Sequence, residues 1–302
     1  MKKFGGDWSE EKLDCVEKYI CSYLQVMQNQ RQWKLHYVDA FAGRGRQDLK
    51  SPTAISDIEM FFGDESESAD TQEFLVGSAI RALRASSNSI RQFDRFLFIE
   101  ANPSSCRELQ SLVRSDFPGI EHRVEVRCAD ANAALHDYAT TVDRTSTRSF
   151  VFLDPYGLEV RWDLVQCLAE TEVCDVWYLF PLGGVIRMMT NDGQIPDSWR
   201  DRLTRVFGTD DWHEAFYKSN PQRSLFACNS ERLLKDASTQ QVIDYVRKRL
   251  RTVFADVSTA GILRNRKGAP LFALLLGVSN PSPKARQAAL RIANHLIKDL
   301  NQ

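Results

Sequence analysis

The chain has 302 residues, 43% of them hydrophobic, enough to bury a sizeable core in one large or two small domains. Lysine and arginine total 39 against 40 acidic residues, so no global charge points to nucleic acid or to an anionic membrane, and any basic surface must be local. No apolar run approaches the roughly 18 residues of a membrane span, and MKKFGGDWSEE at the start lacks the apolar core of a signal peptide. The first element, within residues 1–30, is DWSEEKLDCVEKYICSYLQVM, where Leu13, Val16, Tyr19, Ile20, Tyr23, Leu24 and Met27 recur at helical spacing behind Asp7 or Ser9 as the cap. A short strand from Leu35 to Val38 follows in KLHYVDAFAGRGR and breaks into a glycine-containing loop. The polar insert after it, with the acidic run GDESESAD, reads as an exposed loop or lid, and GSAIRALRA reads as a helix opened at Ser78.

Strand and helix then alternate: FDRFLFIEANP, a helix from Ser104 to about Val113, HRVEVRCAD, a helix from Ala131 to about Tyr138, SFVFLDPYG, the helix WDLVQCLAE, and CDVWYLFPL. Strands separated by helices imply a mainly parallel sheet with right-handed crossovers. From 183 to 235 the pattern changes to helices carrying several Trp, Phe and Tyr, an inserted helical subregion. The chain returns through the helix VIDYVRKRLRTVF to strands near Val253–Leu263 and Pro270–Val278. These flank the turn signal Asn265-Arg266-Lys267-Gly268 and should form an antiparallel hairpin before a last helix, Pro283–Leu300. The expectation is one α/β domain over 1–302, a Rossmann-like, mainly parallel sheet with a C-terminal hairpin and the helical insert.

The charged residues at strand ends carry the chemistry. Asp39, Glu100, Asp130 and Asp154 each lie at or just past the carboxyl end of a predicted strand, where open α/β sheets bind ligands. The loop Phe41-Ala42-Gly43-Arg44-Gly45 would let a ligand approach the backbone, although a tight turn without a ligand reads the same way. Glu100 can accept both hydroxyls of an adenosine ribose. Asp130, followed by Ala131 and Asn132, could reach an adenine amino group or simply cap the next helix. A full GxGxxG is missing, which weakens an NAD-dependent reading. Two basic runs, Arg247, Lys248, Arg249 and Arg251, then Arg264, Arg266 and Lys267, could neutralise phosphates or form solvated faces. Trp199, Trp212, Phe216 and Tyr217 could stack splayed bases, but at helical spacing they read as core, and His213 has no nearby ligand partner. The seven cysteines, Cys15, Cys21, Cys106, Cys128, Cys167, Cys174 and Cys228, form no CxxC and read as reduced thiols of a cytoplasmic protein rather than a metal site.

The segments YVDAFAGRG, FIEANP, CADAN and FLDPYG, in that order and followed by a terminal hairpin, resemble a class I S-adenosylmethionine-dependent methyltransferase. More specifically, GGDWSEEKLDCVEKYI, GSAIRA, FLDPYGLEVRW, LFPLGG with Arg187, and FGTDDWHEAFY are similar to the three-Cys-motif partner proteins (TcmP), over nearly the whole chain. The resemblance implies S-adenosylmethionine as cofactor, held by Asp39, Phe41, Ala42, Gly43, Gly45, Glu100, Asn102, Asp130 and Ala131. It also implies a three-cysteine, radical-SAM-like protein as partner, and it leaves the substrate open. Arg44 departs from the small or proline residue of the relatives. Its guanidinium could contact the cofactor carboxylate or a nucleic-acid phosphate, or hinder the loop.

The DPYG turn resembles the D-P-P-Y-type motif of amino-methyltransferases and the D-P-Y/F-G segment of tRNA guanine-N2 dimethyltransferases. In such a site Asp154 accepts a hydrogen bond from an exocyclic amine, Pro155 fixes the turn, Tyr156 stacks on the base and Gly157 leaves room for it. Arg44, Arg187 and Arg249 complete the expected contacts to a DNA or RNA substrate. The sequence therefore predicts a methyltransferase acting on an exocyclic amine of a nucleic-acid base. The alternative is a non-catalytic partner that keeps the fold as a binding platform.

Overall fold

The computed structural model describes residues 7–47, 75–219, 233–265 and 267–301; the acidic run GDESESAD, Cys228 and Arg266 lie outside them. Helix α1 (Asp7–Met27) leads to strand β1 (Lys34–Asp39). A short ribbon, Arg46–Gln47 with Leu75–Val76, precedes helix α2 (Ser78–Ser87). The alternation that follows is β2 (Arg95–Glu100), α3 (Pro103–Asp116), β3 (Val124–Cys128), α4 (Ala131–Thr141), β4 (Thr147–Leu153), α5 (Trp162–Ala169) and β5 (Cys174–Phe180). Then come α6 (Leu182–Met188), α7 (Asp197–Phe207) and α8 (Trp212–Phe216), with a second ribbon pairing Tyr217–Ser219 to Leu233–Lys235. Helix α9 (Thr239–Leu250), opened by a Ser238/Gln241 capping box, precedes β6 (Asp256–Val257), β7 (Gly261–Arg264), β8 (Pro270–Val278) and α10 (Pro283–Leu300).

The main sheet runs β6–β8–β5–β4–β1–β2–β3, with β7 also paired to β8. Strands β1 to β5 are mutually parallel and β8 is antiparallel to β5, so the chain has the class I methyltransferase arrangement of a parallel sheet finished by an antiparallel hairpin. The edge strand expected from Val253 begins later and is broken in two. Phe254 is instead a packing residue, its ring so close to Gly277 of β8 that a Cβ there would stand 2.7 Å from ring carbons. The stretch from 183 to 235 is likewise not helical throughout, because the second ribbon closes it.

Both faces of the sheet are covered, which explains why its strands read as continuous apolar runs. Along β4, Phe150 and Phe152 point into one layer while Val151 and Leu153 point into the other. The first layer is aromatic: Tyr37, Phe93, Phe96, Phe98 and Trp177 pack beneath α1, whose Tyr19 meets Trp177 edge-on at 5.1 Å. While α10 lies in this first layer, the second holds α4 to α9. There Trp212 and Phe216 are fully buried around Phe207, with Tyr245 5.0 Å from Phe216, so these aromatics are core. Trp199 packs at the margin of the same cluster, and His213 stacks on Tyr217 at 4.9 Å. The six described cysteines are free thiols. Among the described residues no helix is long and apolar enough to cross a membrane.

One contact joins the helices after β5 to the sheet's own layer. Helix α7 ends at Gly208, in the left-handed region at φ 70°, and a Cβ there would stand 2.0 Å from Cδ1 of Trp162. The guanidinium of Arg249 lies over the same indole, 4.5 Å from its centroid, and Arg249 Nε donates to the Phe207 carbonyl at 3.0 Å. Gly208→Ala should therefore lower stability by roughly 2–4 kcal/mol, from backbone strain plus overpacking. Urea denaturation reads the loss directly, and an unchanged midpoint would contradict the contact.

Candidate active site

The sheet order reverses at β1, which has β2 on one side and β4 on the other, and such a reversal opens a crevice at the carboxyl ends of the strands. The loop after β1 is stretched between its two neighbours. Ala40 N–H donates to the Phe152 carbonyl at 3.0 Å and Ala42 N–H to the Ile99 carbonyl at 3.0 Å. Gly43 and Gly45 both have positive φ, 60° and 80°, but for different reasons. A Cβ on Gly45 would press on Leu109 of α3 at 3.0 Å and on Ile80 of α2 at 3.3 Å, so that glycine permits helix packing. A Cβ on Gly43 would meet nothing nearer than the Tyr156 hydroxyl at 4.0 Å, so its backbone faces the crevice. Arg44, between them, turns toward α3 and stands 3.7 Å from Glu108. Phe41 packs on the second core layer, and Ala42 is buried.

Asp39 is fully buried at the end of β1. Its Oδ1 accepts from Phe41 N–H at 3.2 Å, while its Oδ2 finds no hydrogen-bond partner among the described residues. Burial pushes its pKa up to about 7 against the pull of the Ser78 hydroxyl, which favours the carboxylate, and the nearby Asp154 charge adds to the rise. Glu100 ends β2, where its Oε1 accepts from Asn102 N–H at 2.7 Å. Asn102 in turn caps α3 by accepting from Ser104 and Ser105 N–H. Asp130 caps α4 through Ala133 N–H at 2.9 Å, one of the two roles expected of it, and Ala131 opens that helix as a buried residue.

Asp154 follows β4 directly, and its Oδ2 accepts from Lys12 Nζ of α1 at 2.6 Å. The Lys12 side chain is only 4% exposed and that of Asp154 17%, so this is an ion pair largely removed from water. Pro155 and Gly157 are buried, whereas Tyr156 is 46% exposed. Its hydroxyl stands over Gly43, within electrostatic reach of Asp154, Glu100 and Asp39. The far end of the turn is clamped by Asn132, which donates to the Glu159 carbonyl at 3.0 Å and accepts from Arg161 N–H at 3.1 Å. Asn132 therefore serves the DPYG turn.

The structure thus gathers Asp39, Gly43, Glu100, Asp154 and Tyr156 at one edge. It places Arg187 on the exposed last turn of α6 and gives Arg249 the internal contacts with Trp162 and Phe207. Lys12 was not singled out from the sequence. The available signal was its position four residues after Trp8 and four before Val16, a cation within an apolar stripe.

Two cavities lie away from this edge. One, of about 220 Å³, sits at the amino ends of β1, β2 and β4 and is lined by Lys34, His36, Arg95, Tyr138 and Asp143. There His36 Nδ1 is 2.9 Å from the Tyr138 hydroxyl, and burial pushes the imidazole down to about 4. The other, of about 360 Å³, lies between α3 and β3 beside Arg114 and His122. Neither touches the strand-end carboxylates.

No family model matches the chain, and no curated protein matches it in sequence. Among solved structures, a Legionella pneumophila protein of the DUF519 family is similar over 94% of this chain and 92% of its own, with 14% identity and a TM-score of 0.45. Trm1 from Pyrococcus horikoshii, in complex with S-adenosyl-L-methionine, is similar over 96% of this chain and 76% of its own, with 10% identity and a TM-score of 0.37. At TM-scores below 0.5 these likenesses carry no argument, and the fold stands on the strand order itself.

The buried carboxyl of Asp39 has a consequence for stability. Its pKa is about 7 when folded against the ordinary 3.8 of an aspartate, so the folded chain keeps a proton that the unfolded chain sheds. Stability should then fall as pH rises from about 4 to about 7, by roughly a few kcal/mol from this group. Asp175, raised by burial to about 6, acts with the same sign over a narrower window. Melting temperatures measured across that range should fall less for Asp39→Asn than for the wild type. Parallel curves would show that Asp39 is ionised in the folded chain.

Proposed function

We propose that the chain is an S-adenosylmethionine-dependent methyltransferase acting on an exocyclic amine of a nucleic-acid base, in DNA or RNA, and working with a three-Cys-motif protein. The observation that carries this is the meeting of Asp39, Glu100 and the open backbone of Gly43 with the DPYG turn at the reversal of the sheet. The residues present fit the cofactor. Gly43 leaves space that any Cβ would narrow, Asp39 has a buried oxygen without a donor, and Glu100 is oriented by Asn102 N–H at a strand end suited to ribose hydroxyls. S-adenosylmethionine, when bound, supplies the methyl group on its sulfonium.

The protein's own part is positioning. Asp154 accepts a hydrogen bond from the acceptor nitrogen, and the exposed Tyr156 ring gives the base a face to stack on. Holding the nitrogen lone pair in line supplies most of the effect without strong base chemistry. Arg187, exposed on α6, is available to a phosphate, whereas Arg44 and Arg249 already have protein partners. A second reading rests on the Lys12–Asp154 pair: a binding platform whose turn carboxylate is satisfied from within and which takes part only through its partner protein.

Labelled methyl incorporation into total nucleic acid separates the two. Asp154→Ala should lower transfer by about 10² or more, with Tyr156→Phe mild and Tyr156→Ala severe, because stacking needs the ring rather than the hydroxyl. Transfer that survives unchanged in Asp154→Ala would make the turn a structural corner. No transfer by the wild type, with or without its partner, would favour the platform.

A further inference from the structure

Lys12 raises a question that the proposed reaction does not answer. If the acceptor nitrogen donates to Asp154, it approaches a carboxylate whose Oδ2 already holds an ammonium at 2.6 Å. That ammonium cannot simply be set free, because its side chain is 4% exposed and a buried charge left without a partner is costly. It needs another anion within reach of a flexible four-carbon stem. Helix α1 itself is held in place by Tyr19 against Trp177, Trp8 against Phe272 at 5.0 Å, and the salt bridges of Arg81 on α2 to Asp14 and Glu17. Lys12 therefore moves by its side chain rather than with its helix.

The neighbouring protein anion is Asp39, which is close enough to sense the charges of both Lys12 and Asp154. It is a poor substitute, since burial draws it toward its neutral form. A cofactor bound along the Gly43 loop would bring an anion of its own, the α-carboxylate of its amino-acid end. Asp154 adjoins that loop: Phe152, two residues before it, is the register partner of Asp39, and Tyr156, two residues after it, stands over Gly43.

We infer that Lys12 is a cofactor-driven switch: its ammonium leaves Asp154 for the cofactor's carboxylate, and this frees Asp154 for the acceptor amine. The inference rests on the methyltransferase reading and deepens it by adding an order, cofactor first and acceptor second. It also gives the internal ion pair a purpose. Before the cofactor arrives, Oδ2 of Asp154 is occupied. The apolar stripe tolerates a lysine at that position because the charge has a partner in both states.

Calorimetric binding of two ligands to the full chain tests this without an acceptor. S-adenosylhomocysteine carries the carboxylate; 5′-methylthioadenosine has the nucleoside and sulfur but lacks the amino-acid end. Lys12→Met should weaken S-adenosylhomocysteine by about 10- to 100-fold, the range of a charge-assisted hydrogen bond, and leave 5′-methylthioadenosine within about twofold. Lys12→Arg should retain most of the affinity. Asp154→Asn should tighten S-adenosylhomocysteine by about three- to tenfold, because no ion pair must then be broken, and the gain should vanish when Lys12→Met is added. If Lys12→Met alone does not fold, the double variant, which leaves no orphan carboxylate, is compared with Asp154→Asn. Equal losses for both ligands, an unchanged S-adenosylhomocysteine affinity, or a weaker one in Asp154→Asn would overturn the switch while leaving the cofactor reading intact. Failure of the folded wild type to bind either ligand would overturn both.

Discussion

The four inner parallel strands, β1, β2, β4 and β5, have little room for charge except near their ends, and this constraint organises the molecule. Within the sheet every residue of Phe150–Leu153 is apolar and nearly inaccessible, and successive side chains serve opposite layers. In these inner strands the carboxylates stand near the ends, Asp175 where β5 begins and the others where strands stop. Asp39, Glu100 and Asp154 lie at the carboxyl edge, around the point where the strand order reverses. Because the interior screens little, this concentration of negative charge is costly unless a counter-charge lies close to it. One cation, Lys12, is carried in by α1.

The resulting cluster is a compromise between burial and charge. Asp154 and Lys12 form a close pair, and Asp39 beside them has one satisfied oxygen and one without a donor. A polar group left in that state is destabilising on its own and is characteristic of a site prepared for something else. The loop repeats the pattern. Gly45 is accounted for by the leucines of α3, while Gly43 has no neighbour that excludes a side chain. An unsatisfied buried oxygen and an open glycine therefore lie at the same strand end.

Much of the fold was legible because it rests on local periodicity. The parallel strands announced themselves as apolar runs, and the helices between them by spacing and, for α4, by the cap Asp130. The hairpin followed from Asn265 and Gly268, and the Asn265 carbonyl indeed accepts from Gly268 N–H at 2.9 Å. What stayed hidden depends on distant partners. The late start of β6 goes with Phe254 packing on Gly277, and the ribbon after α8 is made with a segment beginning at Leu233. The Lys12–Asp154 pair joins residues 142 positions apart, and the clamp by Asn132 reaches a turn 27 residues on. Strand-end acids could be found by reading along the chain; which cation meets them could not. Arg249 shows the converse. Its basic run suggested phosphate, but its guanidinium belongs to the packing of Trp162 and Phe207.

The central claim is that one edge of the sheet, and not either cavity elsewhere, is where the cofactor binds. Hydrogen exchange of the full chain with and without S-adenosylmethionine tests it most directly. The account predicts slowed exchange confined to segments 39–45, 100–102 and 154–158 and the second turn of α1 around Lys12. Protection around His36, Arg95 and Tyr138, or no change in exchange at saturating cofactor, would contradict it.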